Sequence, residues 1–480
     1  MKDFTRLALD SALQQGADWA DVRIVEIRGE QLYTRNGQIG GHSNSDSMGY
    51  GIRVLVQGAW GFASNNIFKQ DVIEQTAAKA VATARASASL NREQVRLAPE
   101  PAHVDFWQTP YQEDPFKVAL EEKLELLLQI DQVLSADDRI KVAEGRMSFR
   151  REHQHYLSSE GADIEQVLLR SGVGYSATAV GNDDVQIRSW PGTHGGNYRA
   201  EGYEFVRGLP LLTNAERIRE EAIELLTAAE VPSGRRDIIL HPSQMVLQIH
   251  ESVGHASELD RVLGYEANYA GTSFATTDKL GSFRYGSEVV NLVADATLPG
   301  GLATAGYDDD GVKAQRWHIV KEGILTGYMT NRELASQVNL ERSQGSNRAE
   351  GWYHLPITRI CNLSLMPGSW EWDDLLADSE DAIYMETNKS WSIDQERLNF
   401  QFGCELAREV KGGKLGRLLK NPNYQSITPE FWGSCDAICN YKYWQLQGVA
   451  NCGKGQPGQT AEMTHGSAPT RFRNIEVGIK

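Results

Sequence analysis

Long apolar runs are missing from this sequence, and no stretch approaches the roughly 20 residues needed to cross a bilayer. A helical membrane span is therefore not expected. The opening residues, MKDFTRLALDSALQQGADWADV, break their apolar positions with Asp3, Arg6, Asp10 and Gln14, which argues against a secretory leader and for a soluble, cytoplasmic protein. Positive charge is in deficit as well. With 48 Lys+Arg against 64 Asp+Glu the formal charge is -16, which repels a phosphate backbone, so nucleic acid is not expected as a direct ligand. Cysteine is scarce and odd in number: Cys361, Cys404, Cys435, Cys439 and Cys452 all fall in the last third. A disulfide framework is a poor reading of that pattern, and buried thiols or a metal ligand fit it better.

What is present is the composition of an ordinary globular chain, with 41% hydrophobic residues, 23% charged residues and 45 Gly against 15 Pro. At 480 residues it exceeds one ordinary core, and about 100 to 200 residues per domain suggests more than one unit. The turn-forming Val231-Pro232-Ser233-Gly234 is the expected boundary, giving domains 1–232 and 233–480. The expected class is α+β. The first domain reads as an antiparallel sheet with packed helices, the second as β-rich and barrel-like with one helix that carries the chemistry.

Particular segments support this reading. Residues 3 to 15 place Phe4, Leu7, Ala8 and Ala12 on one helical face, and 69 to 88 and 115 to 134 are longer amphipathic helices. Met48 to Ala63 predicts two strands around a Gln57-Gly58 turn. From Ile140 to Tyr203 short alternating runs such as Gln154 to Ser158 and Ile164 to Leu169 predict antiparallel strands, followed by a helix over 214 to 229. The second domain opens with a strand over Asp237 to Leu240 and a helix from His241.

That helix, HPSQMVLQIHESVGHASELD, contains His250, Glu251 and His255. Two imidazoles beside a carboxylate are parts of a peptide-hydrolysing zinc site, in which neutral ring nitrogens hold Zn2+ and the carboxylate acts as general base towards water. The spacing is not the usual HExxH. On a regular helix positions i and i+5 lie about 140° apart, so both rings can face one ion only if the helix is distorted. Gly254 supplies local freedom, and a one-residue π-bulge is the distortion required. The bland alternative is two histidines on a surface helix, with Glu251 and His255 as an ordinary i,i+4 pair. A third ligand must come from elsewhere, and Cys452, in an expected Gly-rich loop over Val449 to Pro457 that would let a thiolate approach an ion closely, is the best local candidate. Cys435 and Cys439, spaced C-x3-C, are the alternative metal pair, while His318, His354 and His465 read as packed or exposed.

Several stretches together resemble the TldD/PmbA family: Gly49 to Val54 with Gly58 to Ala63, His250 to His255, Asp309-Asp310-Gly311-Val312, and Cys452 with Arg471-Phe472-Arg473-Asn474. The resemblance runs nearly the whole chain and is to the TldD-type subunit, which bears HExxxH. It implies a cytoplasmic zinc metalloprotease that acts on unfolded or small peptides, including precursor leaders and an antitoxin. It also implies a dimer with a PmbA-type (TldE) partner, or a homodimer, around a closed cavity. Carried over by motif, His250, His255 and Cys452 would be zinc ligands and Glu251 the catalytic residue. Glu258 and Asp260 follow the family pattern, whereas Met385 to Asp394 stands where a Gly-rich strand is expected. Two rival readings are a non-catalytic peptide-binding or topoisomerase-modulating protein with a structural zinc, and a metallo-hydrolase acting on a small amide.

Overall fold

The computed structural model describes residues 1–91, 93–192 and 195–479. Four long strands, Trp19–Arg35, Gln38–Val56, Ile140–Ser158 and Asp163–Val180, form the middle of a large sheet in the first half. They pair antiparallel, and Ala59–Asn65 extends the sheet at one edge. The turn between Gln38–Val56 and Ala59–Asn65 is the predicted one. Gln57 and Gly58 both have positive φ (51° and 73°), the twist that suits a two-residue hairpin.

Amphipathic helices cover this sheet. Gln70–Ala88 and Lys2–Gln14 bury Ile73, Ala77, Val81, Leu9 and Ala12 against Val22, Ile24, Ile52 and Val54. Leu120–Leu134 and Leu211–Leu225 do the same with Leu127, Ile130, Ile218 and Ala222 against Met147, Phe149 and Val173. Two helix boundaries differ from the sequence reading. Residues 115 to 134 divide into a 3-10 turn, Pro115–Lys117, and the helix proper. The helix predicted over 214 to 229 starts after Pro210 and ends at Leu225, because Ala229 and Glu230 pair instead with Leu419 and Lys420.

In the second half five strands close into a barrel. Gly234–Leu240 pairs parallel with Asp381–Ile393, which pairs antiparallel with Asn399–Lys411. The ring continues through Asn423–Ile427 and Thr470–Val477 and returns to Gly234–Leu240. Phe400, Phe402, Tyr424, Phe431 and Phe472 pack ring against ring in the core, mostly tilted or edge-on, with Phe431 stacked on Phe472. The helix Pro242–Ile249 leaves the first barrel strand and is buried on every face, the condition of a helix enclosed by its own protein. Its polar side chains are accordingly paired: Gln244 donates to Tyr424 Oη (3.0 Å), and that hydroxyl donates to Gln248 (2.9 Å). A hairpin, Gln445–Lys454 with Gln459–Ser467, packs beside this helix.

Candidate metal centre

The motif helix starts at His241, whose Nδ1 accepts from Ser243 N (3.2 Å), with Pro242 at the first position where no amide donor is needed. It is α-helical to Ile249 and then becomes a π-turn over His250–Gly254. The extra residue brings i+5 onto the face of i, so the rings of His250 and His255 stand 4.8 Å apart, centre to centre. Packing favours Gly254 there: a Cβ would lie 2.8 Å from Ile360 Cδ1, so that side chain would have to shift.

Cys452 reaches the same point from the hairpin. It sits on the strand Gln445–Lys454 rather than in a loop, beyond a register slip between Val449 and Cys452 that re-aims the chain. One ligand atom each from His250, His255 and Cys452 lie within 4.8 Å of one another, and all three residues are buried. Two imidazoles and a soft thiol at that separation fit a zinc-type donor set. Cys435 and Cys439 join no grouping of three potential ligands among the described residues. Burial pushes the Cys439 thiol up to about 12 and raises Cys435 as well.

The surroundings of Cys452 differ. Burial works to raise its thiol, but His255 and the Arg359 guanidinium outweigh it and leave the thiol below its ordinary value. Arg359 Nη2 lies 3.1 Å from Sγ and 2.6 Å from the Cys452 carbonyl. His255 Nδ1 is 2.7 Å from Glu258 Oε2, and its Nε2 is 3.4 Å from Cys452 Sγ. His250 Nδ1 is 2.9 Å from Nε2 of His465, a residue the sequence reading set aside. Behind Glu258, buried Lys454 contacts Asp260 (2.6 Å), Glu266 (3.2 Å) and Glu258 (3.4 Å). Burial raises the Glu258 carboxyl, yet Lys454 and His255 together hold it well below the usual range.

Glu251 faces a cavity of about 350 Å³ that also contains both histidines and Cys452. Its carboxylate pairs with Arg397. Burial would raise this carboxyl, but the neighbouring His255, His250 and Arg397 outweigh it and lower it, so it is able to accept a proton at neutral pH. Val246, Leu247 and Val449 supply an apolar wall. Asn388 and Trp391, from the segment that departs from the Gly-rich pattern, also line the cavity. That segment is part of the barrel strand Asp381–Ile393, whose register slips between Asn388 and Ser390. His318 and His354 lie outside the ligand grouping.

Family models match in three consecutive parts: PmbA/TldA metallopeptidase domain 1 over residues 20–88, the central domain over 113–230 and the C-terminal domain over 233–478. The chain belongs to the PmbA/TldD metallopeptidase family. Among its relatives, metalloprotease MJ0996 of Methanocaldococcus jannaschii is 30% identical over 464 residues, which is 96% of this chain and 97% of that protein. The zinc metalloprotease TldD homolog of Saccharolobus solfataricus is 23% identical, covering 98% of each. The fold also matches the crystal structure of TldE from Thermococcus kodakarensis, with a TM-score of 0.77, 15% identity and full coverage of both chains. A Thermotoga maritima structure matches with a TM-score of 0.79 and 16% identity, covering 99% of this chain and all of that one. At such identities these two likenesses concern the fold alone. The family implies a metal, and the buried His250, His255 and Cys452 are residues able to hold one.

Proposed function

We propose that this chain is a zinc-dependent peptidase acting on unfolded or small peptides, with His250, His255 and Cys452 as zinc ligands and Glu251 as general base. The observation that carries the reading is a carboxylate adjacent in sequence to His250 and in the same cavity as three convergent donors. A structural zinc site closes its fourth position with protein and needs no such base. The naming of the Saccharolobus relative as a zinc metalloprotease supports the choice of metal. Zinc held there would supply Lewis-acid polarisation of the scissile carbonyl. Glu251 would take the proton of the attacking water and pass it to the leaving amine. Two neutral imidazoles and one thiolate leave the zinc site at net +1, one charge fewer than three imidazoles would, so the base matters more here.

Among the described residues the strand Gln445–Lys454 is hydrogen-bonded as a strand only to Gln459–Ser467, and its residues 447 to 453 line the cavity. An extended peptide pairing along that edge would bind through main-chain groups, with little demand on sequence. We take residues 1–232 and 233–480 as the two domains. We also place the protein in the cytoplasm, working as a dimer with a PmbA/TldE-type subunit or with itself. The test is elemental analysis together with mass spectrometry of an unfolded peptide mixture, incubated with and without a PmbA-type subunit. About one zinc per chain, lost in His255→Ala, and new peptide termini are expected. Wild-type zinc content in His255→Ala would remove the site.

A further inference from the structure

His465 is buried on the strand Gln459–Ser467, far from the motif in sequence but in contact with it. Both its ring nitrogens have partners. Nδ1 lies 2.7 Å from the Leu363 carbonyl oxygen, and Nε2 lies 2.9 Å from His250 Nδ1. A carbonyl oxygen can only accept, so the His465 Nδ1 must carry a proton. One further proton then occupies the space between the two imidazoles. If it belonged to His465, that ring would be a buried cation with no carboxylate against it among the described residues, which burial strongly disfavours. The proton therefore belongs to His250. His250 Nδ1–H donates to His465 Nε2, and the lone pair of His250 is left on Nε2, the ring nitrogen that His465 does not occupy.

We propose that His465 is a positioning residue: through the relay from His250 to His465 to the Leu363 carbonyl it fixes the His250 tautomer and ring orientation that metal binding requires. The inference rests on the proposed role of His250 as a ligand. His255 is served differently, by Glu258, whose carboxylate accepts from Nδ1 and brings a negative charge. The His250 side is served by a neutral acceptor, which orients the ring and adds no charge to the site. Partners of this kind behind metal ligands typically change metal affinity or activity 10- to 100-fold when removed.

The experiment compares wild type, His465→Leu and His465→Gln by two readouts. Zinc affinity is measured by competition with a chelator. The tautomer of His250 is read from 15N-histidine NMR of the metal-free protein. His465→Leu removes the acceptor and should lower zinc affinity roughly 10- to 100-fold while releasing the Nδ1–H tautomer. A Gln carbonyl can accept from His250 as its amide donates to Leu363, so His465→Gln should restore most of both. His250 found protonated on Nε2 in wild type would overturn the relay, and this needs no variant to fold. So would an affinity loss in His465→Leu that Gln leaves unrepaired with the tautomer unchanged, which marks a packing role only. Wild type that binds no zinc yet holds His250 as Nδ1–H would support the relay and defeat the zinc reading.

Discussion

All five cysteines are buried, so burial does not distinguish Cys452 from the others; the charges beside it do. Arg359 and His255 favour its thiolate, whereas burial raises the thiols of Cys361, Cys404, Cys435 and Cys439. Substituting Ala for Cys452 should therefore reduce zinc affinity at least about 10-fold, and Ala at each of the other four should not. Zinc retention across the five variants decides this, and equal loss at Cys435 and Cys439 would favour the C-x3-C alternative. At this scale the sequence was partly legible. Cys452 stood out through its glycine neighbours, and the motif stood out through its chemistry. His465, Arg359 and Arg397 gave no local signal, because each meets the site only through the tertiary fold.

At the scale of elements, the π-turn could be anticipated because two rings at i and i+5 cannot face one ion on a regular helix. What the sequence did not show is the neighbour that keeps Gly254 a glycine. Ile360 Cδ1 would stand 2.8 Å from a new Cβ. Gly254→Ala should therefore cost about 1–3 kcal/mol and weaken zinc binding, and adding Ile360→Val, which deletes that methyl, should recover part of both. Thermal unfolding and chelator competition on the single and double variants check this, and a Gly254→Ala protein equal to wild type in both would refute it. The long strands of the first sheet were read only as fragments for a related reason. Arg150, Arg151 and His153 interrupt the apolar alternation of Ile140–Ser158, yet they remain in the strand by pairing with Glu152, Asp114 and Glu165. Charges satisfied in this way, whether along the strand, by a loop or by a neighbouring strand, are invisible to a periodicity argument.

At the scale of the whole molecule, the two halves are joined by buried ion pairs. Arg53 binds Asp310 at 2.7 Å as well as Asp21, and Arg188 binds Glu221 at 3.0 Å and Glu405 at 3.1 Å. Burial pushes Glu405 up to about 7, against the pull of Arg188. A carboxyl with a raised folded-state pKa favours folding below its unfolded value, and that contribution is lost as pH rises through the folded value. Wild type should accordingly unfold at lower temperature at pH 8 than at pH 6 in its Glu405-dependent transition. Glu405→Gln, which can still accept from Ser189, should narrow that difference, as calorimetry at the two pH values would show; an unchanged or wider difference would exclude Glu405 as its source. The two pairs that cross between the halves, Arg53 with Asp310 and Arg188 with Glu405, could not be matched from sequence, since their members lie 257 and 217 residues apart. The central claim, that Glu251 is the base of a zinc peptidase, is tested most directly by the cleavage rate of an unfolded peptide with zinc-loaded wild type and Glu251→Gln, each with a PmbA-type subunit. The account predicts equal zinc content and a rate about 10² to 10⁴ lower in the Gln variant; equal rates at equal zinc content would contradict it.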